Sequence, residues 1–92
     1  MITAAEAPLL TVFATVVRCG SFTGAATALK LSKSVVSERV KLLEVRCAAT
    51  LLERTTRRIR LTEVGAEVFD AAIRLEDSLG LLSRLLLSLI HI

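Results

Sequence analysis

Three helices, a short β-hairpin and one long final helix make up the mainly α fold that this sequence predicts. Three observations predict it. Two segments of helical period are separated by a tight turn, and a serine caps the second of them. A stretch rich in arginine, ERTTRRIRL, follows with alternating apolar and charged residues. A long run of apolar residues spaced by three or four then begins at Val64. In this order the elements describe a winged helix-turn-helix followed by a long linker helix. The expected boundaries are residues 1–61 for the winged domain and 62–86 for the linker helix.

The first helix is expected from about Ala5 to Arg18, with Leu9, Phe13, Val16 and Val17 forming its apolar face. Thr3 and Glu6 have the spacing of a capping box, while Pro8 marks an equally good start one turn later. Gly20 ends this helix. Ser21 caps a short second helix, in which Phe22 enters the core and Gly24, Ala25 and Ala26 allow another helix to approach closely. Lys30 and Leu31 make the turn, and Ser32 caps the third helix.

After Arg46 the period changes. Ile59 and Leu61 alternate with Arg58 and Arg60, as in a strand with one buried and one wet face, so a hairpin with a basic tip is expected. Thr62 then caps the long helix, with Glu63 and Glu67 near its positive end. Its stripe, Val64, Val68, Ala71, Leu75, Leu79, Leu82 and Leu86, is longer than one small domain covers, which points to a partner helix.

Charge is distributed unevenly. The chain carries 12 basic and 9 acidic residues, yet residues 18–60 hold ten basic against three acidic ones. A basic block of this kind suits a polyanion. With no Trp or Tyr and three Phe, a base-stacking surface for single strands is disfavoured. Cys19 and Cys47 are the cysteines and His91 the one histidine, a set without metal-site spacing, so no metal or cofactor is expected. No nucleophile has a histidine base and no acid cluster marks a site, so no enzyme is expected. The N-terminal residues lack the pattern of a signal peptide, and residues 79–92 are too short an apolar run to span a bilayer. No membrane partner and a cytoplasmic setting are the expectation.

Two constellations carry the chemistry. In SKSVVSERVKLLE, Val36, Val40 and Leu43 lie on one face of the third helix, and Lys33, Ser34, Ser37, Glu38 and Lys41 on the other. A solvated face is the ordinary explanation of such a polar side. The turn before it and the basic hairpin after it favour base reading in a major groove instead. Lysine donates to guanine, serine does either, and glutamate accepts from cytosine N4. Glu38 must accept from a base or pair with a neighbouring cation, and the local pair with Lys41 is favoured. The second constellation is Arg54, Arg57, Arg58 and Arg60, suited to phosphate contacts or a narrow minor groove. Arg54 has the alternative of pinning the hairpin to a helix end. Ser21 and Thr23, at the start of the second helix, add hydroxyls and free backbone N–H groups for phosphate.

The stretches GSFTGAATALKLSKSVVSERVKLLE and LLERTTRRIRLTEVG resemble the N-terminal winged helix-turn-helix of LysR-type transcriptional regulators. The resemblance runs over about residues 9–65. It rests on Phe13, Gly20-Ser21-Phe22-Thr23, Ala25-Ala26, Leu29, Ser32, Ser34, Val36-Ser37, Leu43-Glu44, Leu51, Arg54, Arg57, Leu61-Thr62 and Gly65. Lys33 stands where the family usually has glutamine, Glu38 at an often basic position, Cys47-Ala48 for Leu-Gly, and Leu52 for phenylalanine. The Cys47-Ala48 exchange implies that the third helix ends differently. The resemblance implies sequence-specific binding of double-stranded DNA at an inverted-repeat operator. It also implies a homodimer through the linker helix, at Val68, Ala71, Leu75, Leu79 and Leu82, and a small-molecule effector acting only through a C-terminal domain that this chain lacks. Other winged-helix classes remain open at this point: a molybdate-responsive regulator, or a winged helix that binds protein.

Residues 87–92, LSLIHI, back-translate as CTG TCT CTT ATA CAC ATC, which resembles the transposon end sequence used in preparing sequencing libraries. These six residues are therefore expected to be adaptor read-through from a gene that continues elsewhere.

Overall fold

The structure, a computed structural model, describes residues 2–55 and 58–90. The Thr3 hydroxyl accepts from the Ala5 N–H at 3.3 Å, and a Glu6 carboxylate oxygen accepts from the Thr3 N–H at 3.4 Å. This capping box opens a single 3-10 turn, Ala4–Glu6, and helix α1, Ala7–Cys19, follows with Pro8 in its first turn. Both starts read from the sequence are therefore present, one after the other. Proline is harmless there because the first helical N–H groups have no intrahelical acceptor. Gly20 closes α1 at φ +73°, its N–H shared by the Val16 and Val17 carbonyls.

Helix α2, Phe22–Leu29, is capped by Ser21, whose hydroxyl accepts from the Gly24 N–H at 2.9 Å. Lys30 takes the left-handed conformation, and the Leu31 N–H returns to the Ala26 carbonyl. Ser32 then caps α3, Lys33–Cys47, by accepting from the Val35 N–H at 3.2 Å. The helix-turn-helix thus depends on bonds that span three to five residues.

The end of α3 departs from expectation. Ala48 caps it at φ +53°, and its N–H and that of Ala49 reach the last carbonyls as they would around a glycine. The helix ends in the ordinary geometry, which alanine adopts under strain of about 1–2 kcal/mol. Replacing Ala48 with glycine should relieve that strain. The expected gain is about 1 kcal/mol, or roughly 4–8 °C in melting temperature. A thermal melt at fixed protein concentration checks it, and an unchanged or lower midpoint contradicts it.

Phe13, Val16, Val36, Val40, Leu43 and Leu51 are fully buried where α1, α2 and α3 meet. The hairpin closes this core. Strands β1, Leu52–Arg54, and β2, Ile59–Leu61, pair antiparallel with Leu52 opposite Leu61, Glu53 opposite Arg60 and Arg54 opposite Ile59. Leu52 fills its core place, so the exchange from phenylalanine is accommodated.

Helix α4, Glu63–Ile90, starts on Thr62. The Thr62 hydroxyl accepts from the Gly65 N–H at 2.9 Å and donates to the Thr50 carbonyl at 2.6 Å. Gly65 lies against the Leu51 carbonyl so closely that any Cβ would collide with it. Val68 and Phe69 pack on the core, Ala72 is buried, and Arg18 at the end of α1 pairs with Glu76 at 3.0 Å. Farther along, α4 leaves the domain: Leu79 is 55% and Leu82 52% exposed. The helix runs through the boundary expected at residue 86 as far as Ile90, since leucine favours helix. No helix among the described residues is long and apolar enough to cross a membrane.

Candidate nucleic-acid interface

Helix α3 turns Val36, Val40 and Leu43 inward, which leaves the opposite side free. Lys33, Ser34, Glu38 and Lys41 are exposed on that side, and Ser37 is half-buried beside them. Arg39, which the pattern did not single out, is exposed on the same helix. No ion pair joins Glu38 to Lys41, or holds either of them, among the described residues. The favoured local pair is therefore absent. The physical reason is the small gain of an exposed pair three residues apart, about 0.5 kcal/mol or less, against the entropy of fixing two mobile side chains.

Two N-termini and the hairpin converge beside this face. Ser21, Phe22 and Thr23 from the start of α2, Lys33 from the start of α3, and Thr55 and Arg58 from the hairpin line an open cleft of about 170 Å³. Ser21 and Thr23 are exposed there. Three separate segments, with Ser21 and Thr23, Lys33, and Arg58, thus share one concavity. Its lining contains two cations and no carboxylate, and it carries the free N–H groups of a helix start. Such a site suits an anion with several oxygen atoms.

The hairpin arginines separate into different roles. The backbone of Arg58 is fixed by Thr55, whose N–H donates to the Arg58 carbonyl at 2.8 Å and whose hydroxyl accepts from the Arg58 N–H at 3.0 Å. Its side chain is exposed. Arg60 stands exposed opposite Glu53 across the strand pair. Arg57 lies outside the described residues. Arg54 points back to the helices: its guanidinium lies 4.2 Å from the centre of the Phe22 ring and donates to the Ser37 hydroxyl oxygen at 3.2 Å. Of the two roles open to it, this is the one of pinning the hairpin to a helix.

Two carboxylates hold this frame together through contacts that the pattern did not mark. One Glu44 oxygen accepts from the Leu51 N–H at 2.7 Å and the Leu52 N–H at 3.3 Å, which ties the start of β1 to α3. These bonds to an ionised acceptor are of the stronger kind. Glu6 is only 3% exposed and lies 4.0 Å from the Arg46 guanidinium, so it helps seat the end of α3 on α1. No local spacing could have revealed either contact, because each partner lies seven or more residues away. Burial first, then Glu44 and Glu6, push the Cys47 thiol above its ordinary value. It stays protonated and unreactive near neutral pH.

Along α4, Val68 packs on the core of its own domain, whereas Ala71, Leu75, Leu79 and Leu82 are exposed. Of the five residues expected at a dimer interface, the domain itself therefore covers Val68 and leaves the other four exposed. No cluster of three or more potential metal ligands exists among the described residues.

Comparison with known proteins adds to this geometry. The family model described as "Bacterial regulatory helix-turn-helix protein, lysR family" matches residues 8–66. The HTH-type transcriptional regulator CrgA of Neisseria meningitidis serogroup C is 50% identical over 66 residues, which cover 72% of this chain and 22% of that protein. The chain thus spans about a fifth of the length of the curated relatives it matches. Among solved structures, the BenM DNA-binding domain in complex with benA site 1 DNA is similar at a TM-score of 0.82 and 28% identity. That match covers 90% of this chain and 96% of the BenM chain. The structure of CrgA, a LysR-type transcriptional regulator from Neisseria meningitidis, gives a TM-score of 0.74 at 40% identity, over 96% of this chain and 29% of that one.

Proposed function

Because the chain belongs to the lysR family of bacterial regulatory helix-turn-helix proteins, we propose that it binds double-stranded DNA in a sequence-specific manner as part of a cytoplasmic transcription regulator. The observation that carries this reading is the cleft joining Ser21, Thr23, Lys33 and Arg58 at the edge of the exposed face of α3. A phosphate in that cleft would place the N-terminal half of α3 along the major groove. Lys33, Ser34, Ser37, Glu38 and Lys41 then face base edges, and Arg58 and Arg60 hold the flanking backbone. The curated relatives are transcriptional regulators, and no catalytic role is proposed.

Two copies of the chain would meet through the exposed side of α4, at Ala71, Leu75, Leu79 and Leu82, and so read an inverted repeat. Beyond Glu76 this helix has little of its own domain to lie on, and a row of leucines in water favours a partner of the same kind. The matched relatives do not favour the molybdate-responsive or protein-binding alternatives.

Duplex binding measured at several salt concentrations tests the proposal. Affinity should fall steeply as salt rises. Arg58→Ala should weaken binding to all sequences alike and reduce the slope of log affinity against log salt by about one. No duplex affinity, or affinity indifferent to salt, would sink the reading.

A further inference from the structure

We propose that Arg54 is a positioning residue: it sets the hydrogen-bond polarity of Ser37, so that Ser37 meets its base as a donor. This rests on the DNA-binding reading and deepens it. A serine hydroxyl has one O–H and two lone pairs, and so can read either kind of base edge. Guanidinium has donors only, so at 3.2 Å from Arg54 Nη1 the Ser37 oxygen must be accepting. Its own proton is left over.

A hydroxyl within a helix often gives that proton to the carbonyl four residues back. Thr11, Thr15, Thr27 and Ser83 all do so here. Among the described residues Ser37 makes no such bond, so its O–H is available on the polar face of α3. A second donor approaching the same oxygen would meet the positive charge of Arg54. An acceptor would be welcomed. In the major groove this favours guanine, with O6 and N7, or thymine, with O4, and disfavours the cytosine N4 amino group.

Arg54 is held to this task. Its guanidinium lies over the ring of Phe22, itself a core residue, and it stands on β1 directly opposite Ile59. The hairpin therefore bears on what α3 reads, through one side chain. Neither the serine nor the arginine alone predicts a base preference.

The test is selection from a pool of randomised duplexes with the 92-residue chain, compared with Ser37→Ala, Arg54→Met, Arg54→Lys and the double variant Ser37→Ala/Arg54→Met. Far-UV circular dichroism monitors folding, and salt dependence is measured for each. The wild type should disfavour cytosine at one position, and Ser37→Ala should erase that preference. Arg54→Met should erase it at the same position, by about 5-fold or more, with an unchanged salt slope. The double variant should add nothing further, and Arg54→Lys, which keeps a charged donor, should restore the preference. The proposal is overturned if Arg54→Met keeps the preference while losing affinity on all sequences and about one unit of salt slope, the behaviour of a phosphate contact. It is overturned equally if Arg54→Lys, folded and binding, shows the Arg54→Met profile, or if the position that Ser37→Ala relaxes favours cytosine. A wild-type chain that binds duplexes but enriches no sequence refutes the base-reading proposal itself, and this one with it.

Discussion

Gly65→Ala should lower the melting temperature by more than about 10 °C, the largest stability loss expected of a single methyl group in this chain. The added carbon would fall on the Leu51 carbonyl, which is backbone and cannot rotate away. That carbonyl is held by the Thr62 N–H at 3.0 Å, and Leu51 itself is fully buried with its N–H on Glu44. Relief therefore requires moving either the start of α4 or the segment leading into β1. Either movement strains the Thr62 cap and the Glu44 anchor together. Overpacking of this kind costs typically about 1–3 kcal/mol, and the rigidity of the obstacle places this case at the upper end.

Gly80→Ala provides the contrast. Its Cβ would meet only the end of the Arg84 side chain, at 3.7 Å. Removing a glycine from the interior of an exposed helix should stabilise it by about 1 kcal/mol. Melts of the two variants at one protein concentration decide the matter. A Gly65→Ala midpoint within about 2 °C of the wild type, well under a kcal/mol on this scale, would mean that α4 does not sit on Leu51 as described.

Glu38→Ala should have the largest effect on recognition, in two directions at once. Affinity for arbitrary duplexes should rise, because an exposed carboxylate among phosphates is repelled and no ion pair shields this one among the described residues. Discrimination at one base pair should fall by roughly 5- to 150-fold, the value of a good contact with a base edge. A free carboxylate on this face has one favourable use, accepting from an amino group such as cytosine N4. Selection from randomised duplexes reads both effects. An unchanged base profile with higher affinity would make Glu38 a modulator of affinity and not a reader.

Much of the frame was legible because its determinants are local. Thr3, Ser21, Ser32 and Thr62 each cap a helical segment through bonds that span two or three residues, so their types and spacing carry the information. The inward face of α3 followed from the spacing of Val36, Val40 and Leu43, all now fully buried. The exchange at Cys47-Ala48 misled for a local reason too. Side-chain preference suggested another ending, but the bonds from Ala48 and Ala49 to the last turn of α3 impose the left-handed geometry whatever residue occupies it.

The stripe on α4 shows where periodicity alone falls short. Residues spaced by three and four keep to one side of a helix, but the domain covers only the first part of its length, so one list merged covered and uncovered positions. Gly65, Val68, Phe69 and Ala72 turn to the domain, whereas Ala71, Leu75, Leu79 and Leu82 turn to solvent. Only the position of α1 and Leu51 against the helix tells them apart.

By itself the sequence determined the helices, their caps, the strand pair and the basic block, because each depends on contacts between near neighbours or on charge, which needs no partner to be counted. The tertiary structure alone decided which polar residues are free and which are engaged. It joined Arg54 to Ser37 across 17 positions and Arg18 to Glu76 across 58, tied Glu44 to the start of β1, and left Glu38 unpaired among the described residues. Hydrogen bonds of this reach depend on how the elements pack. Packing is set by the whole core together, and no window of sequence contains it.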